Sequence, residues 1–459
     1  MQHSRTRPWR RIRTALIAGA ALLATGLSSA PAQAAAGDNP GALTPLTSSA
    51  ELAKLQLQEH RVPETSLDNL AAQMGTSVGV DTVLKSANHP MRNRAACAST
   101  ESAALPVSPA ATDAYCWDTG DATTQSWLPQ SVTTSGDADD DGMWGTNKVI
   151  LAGWTHNDSK EGEPAADDHL ARVAFIDAND PANLKYRWVL LVIPIDGGTN
   201  YKKLESHLGG MVWYQDKLIV TARNGADNNN ALYIYDMSRI LQANVNSSAI
   251  GKVSGGWSAH GYQYVMPAIG SYSTTGGACT DTSDNAVPCF ASISLDRTTT
   301  PDSLVATEWF TSSGSKGPAR VWRYYFSTAA DRPGYLGINS SDVANVDEAY
   351  ETKAVGLQGV LSHNGNWYVD DARGGVGQHG ILWRQNTSGA MAAANCGTDQ
   401  TYACWGKHTE SMSYWQSTGK VWTLTEWAAN AAGEWKDPAV PERVLFATPL
   451  SSIDSTLHS

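Results

Sequence analysis

The stretch Met211–Thr221 (MVWYQDKLIVT), followed by Ala231–Asp236 (ALYIYD), decides the fold class. Two runs of β-branched and aromatic residues flank Gln215-Asp216, a polar pair suited to a tight hairpin, and a third run follows a polar gap. The unit recurs as Val360–Asp370 (VLSHNGNWYVD) with Gly380–Arg384 (GILWR), and as Met412–Thr425 (MSYWQSTGKVWTLT) with Arg443–Ala447 (RVLFA). Val149–Trp154 with Ala171–Ile176, and Tyr262–Ile269 with Phe290–Leu295, read as further copies. Asn364-Gly365 and Thr418-Gly419 supply the turn residues.

The copies begin near Lys148, Lys217, Gln263, Asn366 and Lys420. Strand-built repeats of roughly 40–50 residues indicate a β-propeller, because a lone blade cannot bury both faces. The wide gap before Asn366 has room for two units, and Arg320–Ser327 (RVWRYYFS) offers strand material for the hidden one. The expectation is therefore an all-β fold, a propeller of seven blades, with six the alternative. Two β-sandwiches compete, since they use similar strands, but the recurring unit favours the ring.

The chain has 459 residues, 33 Lys and Arg against 45 Asp and Glu, and a net charge of −12. Five arginines (Arg5, Arg7, Arg10, Arg11 and Arg13) sit in the leader, so the remainder is more acidic still. Such a surface repels polyphosphate, which argues against a nucleic-acid partner. Residues 1–34 read as a secretory signal: a basic start, an apolar stretch from Ala15 to Leu27, and Ala32-Gln33-Ala34 as a cleavage site. That stretch is too short to span a bilayer, which needs about 20 apolar residues, and no later one approaches that length. Location outside the cell, free or on the cell wall, is the expectation.

Six cysteines suit an oxidising compartment. They lie as neighbours, Cys97 and Cys116, Cys279 and Cys289, Cys396 and Cys404, and adjacent pairing is the simplest of the connectivities that sequence leaves open. Residues 35–112 differ in character and read as an extension or pro-segment, short and partly helical. Ala50–His60 (AELAKLQLQEH) and Ser66–Met74 have helical spacing, with Ser49 as N-cap, and Ala98–Thr112 has linker composition. The propeller then occupies residues 113–459.

Candidates for chemistry are few. Asp137, Asp139 and Asp141 in DADDDG match the opening of a calcium loop, but Lys148 stands where an EF-hand needs a bidentate Glu. A solvated acidic turn is the plainer reading, and no cofactor is expected beyond that candidate calcium. Gln130, His207, Gln358 and Glu410 precede or open the first strands of repeats, so they gather at the mouth of the central channel. Bracing between blades explains them better than catalysis. Gly256-Trp257-Ser258-Ala259-His260 departs from a nucleophile elbow, and no HExxH occurs. Acids beside tryptophan, Glu308-Trp309 and Glu426-Trp427, read as hairpin-surface charges next to packing indoles.

Several stretches carry a resemblance: Gln130–Trp144 (QSVTTSGDADDDGMW), Tyr186–Pro194 (YRWVLLVIP), His207–Val220 (HLGGMVWYQDKLIV) and Tyr262–Tyr272 (YQYVMPAIGSY). Ser294–Val305 (SLDRTTTPDSLV), Gln358–Val369 (QGVLSHNGNWYV) and Glu410–Glu426 (ESMSYWQSTGKVWTLTE) continue it. Together, from about residue 115 onward, they resemble the secreted bacterial propellers related to dispase autolysis-inducing protein. The resemblance implies a seven-bladed, extracellular, non-enzymatic propeller. It also implies a thermolysin-like metalloprotease and an extracellular transglutaminase as partners. The extension has no counterpart in that resemblance.

The function expected is a secreted, monomeric, non-catalytic propeller that binds extracellular proteins and promotes inactivation or autolysis of a metalloprotease. The competing reading is a carbohydrate-active propeller enzyme or lectin with its site at the channel mouth. A transglutaminase needs glutamine in exposed, adaptable backbone. That selects Gln378 in its glycine-rich run, Gln400 between two cysteines, and Gln56 and Gln58 in the extension.

Overall fold

A computed structural model describes residues 39–157, 164, 167–222, 230–279, 286–310, 318–372, 378–393, 404–434 and 436–458. The leader, Gln400 and Cys396 lie outside the described residues. The chain builds antiparallel sheets of four strands, each starting at a common axis. Blade 1 is Trp127–Thr134, Val149–His156, Ala171–Asp177 and Lys185–Ile195. Blade 2 is Met211–Tyr214, Lys217–Thr221, Asn230–Asp236 and Tyr264–Thr274. Blade 3 is Phe290–Asp296, Ser303–Glu308, Ala319–Tyr325 and Glu348–Thr352. Blade 4 is Leu357–His363, Asn366–Asp371, Ile381–Asn386 and Gly389–Ala393. Blade 5 takes Thr409–Trp415, Lys420–Thr425 and Val444–Pro449, and completes itself with Asp113–Cys116 from far upstream. That exchange closes the ring.

The propeller reading holds, and the described residues form five blades instead of the expected seven or six. Two features inflated the count. Tyr264–Thr274 opens no blade; it is the outermost strand of blade 2, delayed by an insertion carrying the hairpin Ile250–Val253 and Gly256–Ala259. Arg320–Ser327 starts no hidden copy; it lies on the third strand of blade 3, whose first strand is Phe290–Asp296.

The core confirms five blades independently. Apolar burial drives sheet stacking, and the buried side chains fall into five clusters, each joining two neighbouring blades. Val149 and Val173 meet Trp213 and Val220 between blades 1 and 2. Val212 and Ile219 meet Ile293 and Trp322 between blades 2 and 3, and Val305 and Val321 meet Val360 and Trp383 between blades 3 and 4. Leu361 and Tyr368 meet Met412 and Phe446 between blades 4 and 5, and Trp415 and Trp422 meet Ile150 and Trp154 between blades 5 and 1.

Residues 39–112 form a belt around this ring. Asn39 and Leu43 bond to Ala390 and Asn386 of blade 4. Thr44–Pro45 then pairs with the outer strand of blade 3, and Leu57–Arg61 with that of blade 2. His89–Pro90 pairs with the outer strand of blade 1, and Arg92–Asn93 with Asp113–Cys116 of blade 5. The C-terminal Leu457–His458 covers the edge of blade 4. Exposed strand edges template aggregation, and here each blade carries an added strand on its outer edge. The helix expected over Ala50–His60 is accordingly cut short: Ser49–Leu52 is helical, Ala53–Leu55 forms a 3₁₀ turn, and Leu57–Arg61 is a strand. The free edge of blade 2 offers backbone partners that outweigh helical propensity. Ser48, not Ser49, takes the N-cap position, without a side-chain cap bond, while Glu64–Met74 is helical as expected. Ala98–Thr112 is no free linker, since Ala104, Leu105 and Ala111 are buried in the cluster between blades 4 and 5.

Cys97–Cys116 and Cys279–Cys289 are bonded, and Cys404 is also in a disulfide. The first of these ties belt to blade 5. Among the described residues no helix is long and apolar enough to cross a membrane.

Candidate functional site at the channel mouth

The first strand of every blade starts at the same mouth of the channel. In four of them the register slips there, between Pro129 and Ser131, Phe290 and Ser292, Leu357 and Gly359, and Glu410 and Ser413. A bulge re-aims side chains and frees backbone from the ladder. Gln130 and Gln358 are the unpaired residues of their bulges, in blades 1 and 4. Blade 2 passes this level with Gly209 and Gly210. A Cβ on Gly210 would lie 2.3 Å from the Ile293 nitrogen, so only glycine lets blades 2 and 3 approach.

The mouth therefore gathers Gln130, Gln358 and Glu410 at matching levels of three inner strands, with His207 just ahead of a fourth. They are not equal. His207 and Gln358 are half-buried, while Gln130 and Glu410 are buried. Gln130 Nε2 donates to Glu426 Oε1 at 2.6 Å, joining blade 1 to blade 5. Glu410 and Trp427 also act on the Glu426 carboxyl. Burial pushes the Glu426 carboxyl up to about 7, and its hydrogen bonds and the Arg443 charge offset that only in part.

Arg443 is itself buried, donating to the backbone carbonyls of Glu426 at 2.8 Å and Asp121 at 3.0 Å. Desolvation pushes its guanidinium down to about 10. Next to the acid pair, the His408 ring stacks on Trp427 with centroids 3.5 Å apart. His408 and Ser411, flanking Glu410, both adopt positive φ, 43° and 55°. Non-glycine residues held there carry backbone strain, which tends to collect at functional sites. Asp370, fully buried at the end of the second strand of blade 4, has its carboxyl held well above the usual range by burial, with Asp371 adding to the effect.

Reading Glu426 as a surface charge was wrong, and the same holds for Glu308, which is buried and bound to Arg320 at 2.6 Å. Glu308 ends the second strand of blade 3 and Glu426 directly follows that of blade 5, both precede tryptophan, and both have an arginine opening or just preceding the third strand. That repeated Glu-Trp then Arg pattern was the signal available in the sequence.

The calcium-loop acids do not converge. Asp137 turns inward, accepting from Thr133 and Ser413 at 2.7 Å each, and burial pushes it up to about 6. Asp139 and Asp141 instead cap the turn, accepting from the Asp141 and Met143 backbone nitrogens. Arg297 donates to the Asp137 carbonyl at 2.7 Å and pairs with Asp140. A different set, His89, Asp118 and Asp121, comes close together, but Arg172 and the Tyr186 hydroxyl already engage Asp121.

Of the glutamines, Gln56 bonds Asn345 at 3.0 Å, and Gln58 lies within a paired strand and donates to the Ser341 and Asp342 carbonyls. Gln378 is exposed and outside any strand.

The Glu426 environment has a measurable consequence. Unfolded, its carboxyl titrates near 4.5; folded, it holds its proton to about 7. Between those values the unfolded chain has released a proton that the native state keeps, so this group's contribution to stability falls as pH rises through that window. Glu426→Gln mimics the protonated form. The variant is expected to match the parent near pH 4 and to exceed it by about 3 kcal/mol above pH 7. Asp137 acts in the same direction, and the lowered carboxyls of Glu59, Asp118 and Asp236 act in the opposite one. Only the difference between variant and parent isolates Glu426. Urea titrations across that range check it, and parallel profiles would count against a raised Glu426 carboxyl.

No family model matches the chain, and no curated protein matches it.

Proposed function

We propose that the chain is an exported, non-catalytic binding propeller that works beside extracellular proteases, with a thermolysin-like metalloprotease as its partner. The belt is the observation that carries this reading. Proteases bind substrate as extended backbone, and free strand edges and loose termini are where cleavage starts. A ring whose blades each carry an extra outer strand, stapled to its belt by Cys97–Cys116, suits a protein that must survive such company. The axial polar residues fit the same reading, because the Gln130 bond to Glu426 is spent holding blade 1 to blade 5. As a transglutaminase substrate, the chain would react through Gln378, the exposed candidate.

The test is incubation of purified protein with a thermolysin-like protease, following residual protease activity and propeller integrity together. Loss of protease activity with an intact propeller is expected. His207→Ala and Glu410→Ala should each leave that effect within about threefold, since bracing residues act on stability and not on recognition. An unaffected protease would remove the reading.

A second reading has its own support. The buried acids Glu410 and Glu426, the latter with its carboxyl pushed up to about 7, lie beside stacked His408 and Trp427, and an acid that keeps its proton near neutrality is what protonates a glycosidic oxygen. Release of reducing sugar from a polysaccharide, abolished by Glu426→Gln with the fold intact, would favour it over the first.

A further inference from the structure

The opposite mouth of the ring carries a pocket that the channel chemistry does not use. It lies between blades 5 and 1 and encloses about 140 Å³. Its placement follows from topology: Lys148 precedes the second strand of blade 1, and Thr418 and Lys420 flank the first turn of blade 5, the ends remote from Glu410. The walls are mainly apolar, built from Tyr115, Trp415 and Trp422 on one side and Ile150 and Leu184 on the other. These five side chains are themselves buried in the cluster between the two blades, so the walls are rigid. Tyr115 and Trp422 lie nearly parallel, 11° apart.

The rim is charged. Lys420 Nζ is committed to Asp113 at 2.6 Å. Lys148 is exposed and has no ion pair among the described residues. Its backbone nitrogen is fixed by Asn179 Oδ1 at 2.9 Å, which anchors the residue at the rim. The pocket therefore offers one unpaired lysine over an aromatic floor, with Asp113 and Asp180 the acids that act on Tyr115. An apolar cavity of about 150 Å³ accommodates a benzene ring, and a lysine at its lip favours an anion.

We propose that this pocket binds an aromatic carboxylate, with the ring against Trp415, Trp422 and Tyr115 and the carboxylate at Lys148. That chemistry can come from a free arylacetic acid or from the carboxy-terminal aromatic residue of another protein. The site is independent of the channel mouth and of any protease partner.

The probes are phenylacetate, 2-phenylethylamine, and a short peptide ending in phenylalanine as the free acid or the amide. Binding to the full chain is followed by saturation-transfer NMR and calorimetry. Phenylacetate or the free-acid peptide should saturate, while phenylethylamine and the amide should not; which acid binds better identifies the source. Lys148→Glu, at an exposed position, should weaken binding at least about tenfold. The proposal fails if neither acid saturates, if the amine binds as well as the acid, or if Lys148→Glu binds like the parent.

Discussion

Deleting residues 39–88 should leave a chain that does not reach the native state, recovered as aggregate and lacking a cooperative melt. The segment buries Leu43, Leu46, Leu55, Leu57, Leu67, Leu70, Val80, Val83 and Leu84. At about 1.5–3 kcal/mol each, their loss exceeds the roughly 5–15 kcal/mol that holds a typical domain together. It also removes Glu59, leaving Arg332 without the carboxylate it grips at 2.6 Å, and strips the outer edges of blades 2 and 3. Size-exclusion chromatography and thermal denaturation of the truncated chain decide the matter. A soluble truncation melting cooperatively near the parent temperature would make these residues a removable pro-segment.

Arg323→Ala should cost about 3–5 kcal/mol, the range found when one partner of a buried ion pair is removed. The guanidinium lies in blade 3, almost wholly buried, 3.1 Å from Asp296 Oδ2. It donates to Ser303 Oγ at 3.0 Å and reaches across to Ser362 Oγ of blade 4 at 2.9 Å. It also sits 4.9 Å from the centre of the Trp367 ring, in the same neighbouring blade. Removing it strands the Asp296 charge in a site that is 1% exposed. Lysine restores charge but not the fork, so Arg323→Lys should recover only part of the loss. Urea midpoints of the three proteins measure this, and a cost below about 1 kcal/mol for alanine would show that Asp296 finds another partner.

The blade unit was legible because its information is local. A hairpin such as that joining Met211–Tyr214 to Lys217–Thr221 is specified by alternation and by its turn residues, and the corresponding hairpins of blades 4 and 5 read equally well. Outer strands are different. Glu348–Thr352 lies more than twenty residues beyond its neighbour Ala319–Tyr325, and Tyr264–Thr274 follows a whole inserted hairpin, so spacing alone misassigned the latter. The belt strands were hidden for a further reason. Leu57–Arg61 has no sheet of its own, and its strand character is lent by an edge more than two hundred residues away. The site shows the same division. Gln130 and Glu410 could be placed at the channel mouth by their position before strands, whereas the bond from Gln130 to Glu426 spans the seam where the ring closes. No local pattern encodes a contact across that seam.

The belt visits blades 4, 3, 2, 1 and 5 in that order, against the order in which the blades are made. Early segments of the described chain are thus held by partners that come late. Asn39 waits for Ala390, and Asp113–Cys116 waits for Val444–Pro449. Neither the circle nor its wrapping can be completed by a growing chain. Assembly is postponed until nearly the whole polypeptide is present, which makes folding a single late and strongly cooperative event dominated by long-range contacts.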